Sequence, residues 1–508
     1  KINALKMKRI VKISLLTVVV LGLATSCFKD NDDNLILASE ISDFVWKGMN
    51  AAYLYKEEIP DLANDRFATN DEYGDYLNSF SSPEELFESV VYQRSTIDRF
   101  SWITDDYIAL EQLFSGVTKS NGMEYGLVYV PNGNNAIFGY VRYVLPNTSA
   151  QSQGVQRGDI FYAVNGESLY YNSPTDNNLG LLNANNYTIN LATYNNNGTP
   201  ETSDDSVTPG SGSISLTKAD YTENPILTHS ILQVEGNNVG YLMYNGFTGT
   251  NTFDSALNSV FGEFQAAGIT DLILDLRYNP GGSVRTATWL ASMITGQFTG
   301  STFVKEQWNS EIQAQIIADD PNLLLNPFVN QMIKTNSSGA VTFQQNINHV
   351  NLSRVYVLTT KASASASELI INGLDPYINV IQVGKTTTGK YQASVTLYDS
   401  PNFGRQNANP NHTYAIQPLV FKSLNANDVT DYFNGLSPDI EIAENYGNLG
   451  VLGNPSEPLL AAAIGHIEGT GRLNYTSDGL EEVKDSNDFI PFAKEMYSDK
   501  PLPFIKKN

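Results

Sequence analysis

Apolar residues recur along the chain at spacings that change from one segment to the next. Between about residues 37 and 115 they fall every three to four positions, which is the spacing of one buried face of an α-helix. The residues that carry this pattern are Ile41, Phe44, Val45, Met49, Tyr53 and Tyr55. We therefore predict an N-terminal helical domain over residues 37–118. Its sequence contains no motif that indicates a catalytic role.

Short β-type runs replace the helical pattern between about residues 122 and 218. Each run is bounded by glycine, asparagine, proline or aspartate, which are typical turn residues. The runs and turns that define the segment are 126–130, 136–144, 154–160 and 164–166. The pattern predicts a small β-rich domain over residues 119–222.

The order of these runs resembles a PDZ domain. A strand is followed by a small-residue helix start, a turn with glycine and aspartate, and a strand that ends in an Asn-Gly turn. PDZ domains add an extended peptide to a sheet edge and hold its terminal carboxylate with backbone amides. The resemblance implies that Tyr125, Gly126 and Leu127 form the substrate-binding loop. A domain that serves only as a spacer or a lid is the alternative.

Apolar strands and amphipathic helices alternate from about residue 237 onward, which favours a layered α/β core. Three of the strands are predicted at 239–243, 270–276 and 354–358. We place this core at residues 223–465 and interpret residues 466–508 as a helical C-terminal appendage. The predicted fold class is therefore a multidomain α/β protein.

The charge and composition of the 508 residues exclude several classes of function. With 31 Lys+Arg against 54 Asp+Glu, the net charge of −23 disfavours binding to nucleic acid, because phosphate backbones need clustered cations. Phosphate-binding glycine fingerprints are absent from the sequence, and so are cysteine and histidine clusters with zinc spacing. We expect no cofactor and no metal.

The first residues have the features of a secretory signal. Basic residues at 8, 9 and 12 precede an apolar run over 13–23, and small residues lead to Cys27, the single cysteine. This order resembles a bacterial lipobox, which implies a signal peptide over 1–27 and lipid attachment at Cys27 in the outer membrane. An ordinary signal peptide is the alternative. Residues 28–36 form an acidic tether that resembles the export tags of Bacteroidetes surface lipoproteins, and the periplasmic or surface face is left open.

Two loops that each follow a strand supply complementary parts of an acyl-transfer site. The loop at 275–282 ends in paired glycines, whose backbone N–H groups can stabilise an oxyanion. The loop at 363–368 places serines at the start of a helix, where the helix dipole favours negative charge. A turn over 384–390 then presents Lys390. A lysine can take a proton from a serine hydroxyl only when its own pKa is lowered by its surroundings.

These three loops, in this order after a PDZ-like segment, resemble the C-terminal processing (tail-specific) protease family. The resemblance implies that Ser365 is the nucleophile and that Lys390, which lies 25 residues later, is the base. It implies that the oxyanion hole uses Gly281 or Gly282 together with Ala366. It also implies a crotonase-like layered core.

The chain departs from the family pattern after the lysine. Many members carry a glutamine four residues later, whereas this chain has Gln392 two residues later and Ser394 in the usual position. We name Gln392 as the third catalytic residue, with Ser394 or Gln417 as alternatives. None of the four histidines lies in a motif with a serine elbow.

The sequence therefore predicts a serine endopeptidase that acts in the cell envelope on polypeptides with free C-termini. Its contact with the membrane is expected through the lipid anchor only. The alternative is a catalytically inactive, PDZ-containing peptide-binding lipoprotein. The sequence leaves the oligomeric state open.

Overall fold

The computed structural model describes residues 39–199, 201–336, 338–470, 479–498 and 500. The predicted signal peptide, the lipid attachment at Cys27 and the acidic tether lie outside these residues. Within the described residues, every helix is too short or too polar to cross a membrane.

The N-terminal part is helical, as predicted. Its elements are α1 (Glu40–Ala52), α2 (Asn70–Asn78), α3 (Pro83–Ser89), β1 (Trp102–Thr104) and α4 (Tyr107–Phe114). Hydroxyl or carboxylate side chains cap the start of all four helices, which satisfies N–H groups that have no partner inside the helix. Phe44 and Met49 of α1 are fully buried in the core shared with the α/β region. The helical part is therefore packed against the rest of the chain.

A β-rich region follows the helices. Its elements are β2 (Val117–Ser120), β3 (Met123–Tyr129), β4 (Ile137–Val144), α5 (Ser149–Ser152), β5 (Ile160–Val164), β6 (Glu167–Ser168), β7 (Tyr171–Ser173), β8 (Asp176–Asn177), β9 (Asn186–Asn195), β10 (Ser206–Thr217) and β11 (Ala219–Thr222). The strands pair in the order β10-β9-β5-β4-β3. Asn165 and Gly166 both have positive φ in the tight turn between β5 and β6, as the Asn-Gly signal predicts. The β-rich region encloses its own apolar core.

The α/β region contains the longest alternation of strands and helices. Its strands are β12 (Ile226–Val234), β13 (Asn237–Tyr244), β14 (Asp271–Asp275), β15 (Gly282–Ser283), β16 (Thr302–Trp308), β17 (Leu325–Pro327), β18 (Gln331–Thr335), β19 (Val341–Asn346), β20 (Arg354–Thr359), β21 (Asn379–Gly384), β22 (Gln392–Ser394), β23 (Leu397–Tyr398), β24 (Ala415–Gln417), β25 (Leu419–Leu424) and β26 (Ile440–Glu441). Its helices are α6 (Asn251–Ala267), α7 (Val284–Thr295), α8 (Ser310–Asp319), α9 (Ala366–Leu374) and α10 (Pro458–Ile467). The fold is thus a mixed α/β multidomain structure with an N-terminal helical domain.

One sheet of this region has the order β12-β13-β14-β20-β21-β26 and is parallel from β13 to β26. Both of its faces are covered. Leu272 and Leu274 of β14 point into the core that contains α6, α7 and α9, whereas Ile273 points into the core that contains α10. This double burial explains the unbroken apolar run that the sequence shows at β14.

The prediction of a helical C-terminal appendage is wrong for the described residues 479–498. The described part of the segment forms β27 (Glu482–Asp485) and β28 (Met496–Tyr497). β27 adds to β3 at the edge of the β-rich sheet, and β28 pairs with both β15 and β22 in a second sheet of order β15-β28-β22-β25-β16-β17. Strands this short have no readable periodicity, because the edges they complete decide their conformation.

Candidate active site

The two glycine-lined loops and the lysine turn converge at one edge of the parallel sheet. Strands β14, β20 and β21 are neighbours in that sheet. The Gly-Gly loop follows β14, the serine loop follows β20, and the lysine turn follows β21. Because the carboxyl ends of parallel strands lie at the same edge, the loops meet there.

A buried ion-pair network fixes the start of the Gly-Gly loop. The guanidinium of Arg277 donates to both carboxylate oxygens of Glu457, at 2.6 and 2.8 Å, and to Asp275 at 2.9 Å. Tyr241 donates to the same Asp275 carboxylate at 2.8 Å. All of these side chains are buried. The network therefore ties the loop to the N-terminus of α10.

Replacing Arg277 with methionine is expected to lower the free energy of unfolding by about 3–5 kcal/mol, because two buried carboxylates lose their cation. Urea-induced unfolding measures the change. Arg405→Met is the matched control, since that side chain is 52% exposed and pairs with Glu111; its loss is expected to be under about 1 kcal/mol. Equal losses in the two variants would contradict the structural role of Arg277.

The three serines of the serine loop have different partners. The hydroxyl of Ser363 donates to the carbonyl of Leu276 at 2.8 Å, and that of Ser367 donates to the carbonyl of Asn279 at 3.0 Å. Both therefore fasten the serine loop to the Gly-Gly loop. The buried Oγ of Ser365 has no hydrogen-bond partner among the described residues. It is the hydroxyl of the three that remains available for chemistry.

The backbone at Ser365 has an unusual conformation. Its φ is 64° and its ψ is −116°, values that a residue with a side chain adopts only under strain from its surroundings. Gly281 lies so close that a Cβ there would be 2.5 Å from the Ser365 Oγ. Glycine is therefore required at 281 for the two loops to approach each other.

The backbone amides near Ser365 point in different directions. The Gly281 N–H donates to the Asn279 side chain at 2.9 Å. The Gly281 carbonyl and the Ser283 N–H both bond to Phe247. Successive residues of a strand direct their N–H and C=O groups to opposite sides. The N–H and C=O groups of Gly282, between these two residues, therefore point away from Phe247. Ala366 lies in the first turn of α9, where N–H groups lack intrahelical partners.

Lys390 is fully buried at the end of its turn. Its Nζ lies 2.8 Å from Oε2 of Glu495 and 4.7 Å from the centre of the Phe100 ring. Burial lowers the pKa of the Lys390 ammonium below its ordinary value, while Glu495 opposes that change. Burial likewise raises the pKa of Glu495, and Lys390 opposes it. Burial thus favours the neutral form of the Lys390 amine, whereas Glu495 favours its charged form.

Glu368 joins the serine loop to the lysine turn. Its carboxylate accepts the N–H groups of Ser365 and Lys390 at 2.8 Å each and that of Gly389 at 2.6 Å. The hydroxyl of Thr387 also donates to it. Burial raises the pKa of Glu368 to about 7. One carboxylate therefore sets the relative position of the candidate nucleophile and the candidate base.

Replacing Glu368 with glutamine is expected to lower kcat on the order of 10²-fold, because an amide cannot accept all four donors and the two loops shift. Steady-state kinetics on an unstructured peptide measures the loss. Glu441→Gln is the control, since Glu441 is exposed and pairs with Lys385. An unchanged kcat in Glu368→Gln would show that the carboxylate does not position the site.

A polar chain surrounds the lysine side chain. The hydroxyl of Ser394 donates to Glu495 at 2.6 Å, and the Gln417 amide donates to Ser394 at 3.1 Å. Gln392 instead donates to the Tyr55 hydroxyl at 2.9 Å. The structure therefore does not bring Gln392 to Lys390, because its amide is directed toward the N-terminal domain. Sequence reasoning missed Glu495, which stands in a segment without any motif.

Two family models match the chain. Peptidase family S41 matches residues 238–442, and the peptidase S41 N-terminal domain matches residues 40–102. The chain belongs to peptidase family S41.

Solved structures resemble this S41 peptidase over most of its length. A candidate S41 protease from Bacteroides fragilis is 25% identical with a TM-score of 0.60, and the match covers 84% of this chain and 97% of that one. The photosystem II D1 C-terminal processing protease is 16% identical with a TM-score of 0.46, covering 84% of this chain and 98% of that one. No curated protein sequence matches the chain.

The N-terminal S41 domain contributes to the site, which sequence reasoning missed. Phe100 packs its ring against the Lys390 amine. Arg99 donates to the Gly389 carbonyl at 3.0 Å. The buried Asp98 accepts the N–H groups of Phe100 and Ser101 at 3.1 and 2.8 Å, which holds this short segment in place. No sequence signal marks these residues, because their role depends on contacts with a turn about 290 positions away.

The predicted peptide-binding residues of the S41 peptidase lie on β3. Tyr125 and Leu127 have buried side chains, and a Cβ at Gly126 would meet the Tyr140 ring at 2.4 Å. The backbone edge of these residues pairs with β27, with Asp485 opposite Gly126 and Lys484 opposite Leu127. The predicted loop is thus a sheet edge that a segment of the same chain occupies.

Three of the four histidines have partners other than Ser365. His229 pairs with Glu263 and His412 with Asp399, each at 3.1 Å. His466 bonds to the Tyr356 hydroxyl at 3.0 Å. The Oγ of Ser365 is bonded to none of them, so these residues supply no histidine base for Ser365.

Proposed function

We propose that this S41 peptidase is a serine endopeptidase of the Ser–Lys type that cleaves polypeptides near their C-termini in the cell envelope. The observation that carries the proposal is that the Glu368 carboxylate binds the backbone N–H groups of both Ser365 and Lys390. An unpartnered hydroxyl and a buried amine sit on two loops that share one carboxylate. Backbone amides of the Gly-Gly loop and of the start of α9 lie beside them, and acyl transfer needs such donors for its oxyanion.

The proposed reaction begins with neutral Lys390. Its amine takes the proton of the Ser365 hydroxyl as Oγ bonds to the substrate carbonyl carbon. The N–H groups of Gly282 and Ala366 stabilise the oxyanion, since the Gly281 N–H is occupied by Asn279. Lys390 then gives the proton to the departing amine. A water molecule, deprotonated by Lys390, hydrolyses the acyl-enzyme and releases Ser365.

We propose that residues 119–222 form a PDZ domain that binds the C-terminal part of the substrate. The order of the strands, the Asn-Gly turn at 165–166 and the small helix α5 support this assignment. The edge of β3 at Tyr125, Gly126 and Leu127 would bind the substrate by adding it as a strand.

We propose a location in the cell envelope on the basis of the N-terminal sequence pattern. The basic residues, the apolar run over 13–23 and the small residues before Cys27 support secretion and lipid attachment. The similar structure from Bacteroides fragilis is consistent with an origin in a bacterium that has an outer membrane.

A degenerate library of unstructured peptides with free C-termini, analysed by mass spectrometry, tests the proposed function. The full chain is expected to release C-terminal fragments, and the fragments define the cleavage preference. Binding of peptides without any cleavage would instead support the inactive peptide-binding lipoprotein.

A further inference from the structure

Residues 479–498 run from the β-rich region into the active site, and the proposed function does not use them. Their first strand, β27, pairs with β3 at the proposed PDZ edge. Their second strand, β28, pairs with β15 beside Ser365. One short segment therefore occupies both places where an extended polypeptide would bind.

Ion pairs hold the segment on the β-rich region. Arg142 is buried on β4, and its guanidinium pairs with Glu482 and, at 3.1 Å, with Asp485. Ser486 donates to Glu124. A peptide that displaces the segment can pair its own carboxylates with Arg142 in place of Glu482 and Asp485. The segment thus uses strand addition and charge, as peptide ligands of sheet edges do.

The other end of the segment covers the oxyanion side of the site. Gly282 pairs with Met496 and Ser283 with Tyr497 in parallel register. Gly282 directs its backbone N–H and C=O groups to the side opposite Phe247. Strand β28 lies on that opposite side. The amide that would stabilise the oxyanion therefore faces the segment and not open space.

Glu495 of the same segment engages the candidate base. Its carboxylate contacts the Lys390 amine at 2.8 Å and accepts the Ser394 hydroxyl. A carboxylate at this distance favours the charged form of an amine and thereby weakens it as a base. The Ser365 hydroxyl meanwhile has no hydrogen-bond partner. In this arrangement the amine is engaged by the segment and not by the nucleophile.

Aromatic contacts complete the docking. Tyr497 stacks on Phe114 with ring centres 4.1 Å apart, and Phe492 contacts the edge of Trp102 at 5.9 Å. A cavity of about 120 Å³ remains between the segment and the Gly-Gly loop. The segment is therefore packed against the site without filling it.

We propose that residues 482–497 are an internal occupant of the peptide-binding surface formed by the edges of β3 and β15, which a polypeptide substrate must displace before Ser365 and Lys390 can act. This inference rests on the proposed function. It makes the chain a latent peptidase whose own segment competes with substrate. An extended peptide that adds to both edges is the partner that this surface fits.

The variant Glu495→Gln tests the inference by the direction of its effect. Glutamine keeps the size of the side chain but removes the charge that engages Lys390. Because the occupant is weakened and the amine is released, kcat/KM on an unstructured peptide is expected to rise roughly tenfold or more. The matched control is Glu481→Gln, an exposed residue directly before β27, which is expected to leave kcat/KM unchanged.

A fall in kcat/KM of Glu495→Gln would overturn the inference, because it would make Glu495 a positioning residue of the catalytic site. Tyr497→Ala provides a second variant that loosens the segment without touching Lys390. It is expected to raise kcat/KM in the same direction, and a fall with unchanged thermal stability would likewise contradict displacement.

Hydrogen exchange separates this inference from the proposed function. Ser365→Ala in the full chain is saturated with a peptide that the library identifies as a ligand. The backbone amides of β27 and β28 are expected to exchange roughly tenfold faster or more, since substrate binding releases them. Peptide binding with unchanged exchange in β27 and β28 would overturn the inference even if cleavage by the wild type is established. Absence of cleavage in every variant would instead overturn the proposed function.

Discussion

Cleavage of an unstructured peptide is expected to fall by a factor on the order of 10⁴ or more when Ser365 is replaced by alanine. The replacement removes the one hydroxyl of the serine loop that has no structural partner. The fold should be unaffected, because Ser365 Oγ makes no hydrogen bond within the described residues. Steady-state kinetics and thermal unfolding together measure the two effects.

Ser363→Ala and Ser367→Ala are the matched controls for this prediction. Each removes a hydroxyl that fastens the serine loop to the Gly-Gly loop. Each is expected to lower stability by about 1 kcal/mol while activity survives in large part. Full activity in Ser365→Ala, or complete loss in one of the controls with the fold intact, would assign the nucleophile to a different residue.

Replacing Lys390 with methionine is expected to lower kcat by roughly 10²- to 10⁴-fold, the range of a positioned acid or base. Methionine keeps an unbranched side chain of similar length and removes the amine. Lys385→Met on the same turn is the control, because Lys385 pairs with Glu441 at the surface. Comparable turnover in Lys390→Met and the wild type would eliminate the lysine as the base.

The wild-type rate is expected to rise with pH through the pKa of Lys390. Burial lowers that pKa below its ordinary value, and the surrounding carboxylates Glu495, Asp98 and Glu368 oppose the change. The amine acts as a base only when neutral, so activity is lost as the pH falls through its pKa in the folded enzyme. A pH profile of kcat with no loss on the acidic side would contradict this assignment.

Local sequence signals predict the parts of the candidate site that lie on loops after strands. Paired glycines, clustered serines and a lysine in a glycine turn each follow an apolar strand, and parallel strands bring such loops together. The resemblance to the family, in which the lysine lies 25 residues after the nucleophile, selects Ser365 over its neighbours. The structure gives a physical reason for the same preference, since Ser363 and Ser367 are occupied by carbonyls.

The residues that contact Lys390 through long-range packing could not be predicted from the sequence. Glu495 and Phe100 both contact Lys390, although they lie about 100 and 290 residues from it along the chain. Neither residue belongs to a motif. Gln392 is predicted as the third catalytic residue from its position in the chain after Lys390. In the structure its side-chain amide donates to the Tyr55 hydroxyl instead. The prediction of a helix at the final strands is wrong because strands of two to four residues carry no periodic pattern.

Covalent labelling with a peptidyl fluorophosphonate, followed by peptide mapping of the full chain, shows whether Lys390 activates Ser365. The reagent reacts with a serine that a neighbouring base activates. One adduct is expected, on Ser365, and the labelling rate is expected to fall roughly 10²-fold or more in Lys390→Met. An adduct on another residue, or equal labelling rates in the two proteins, would contradict the pairing of Ser365 with Lys390.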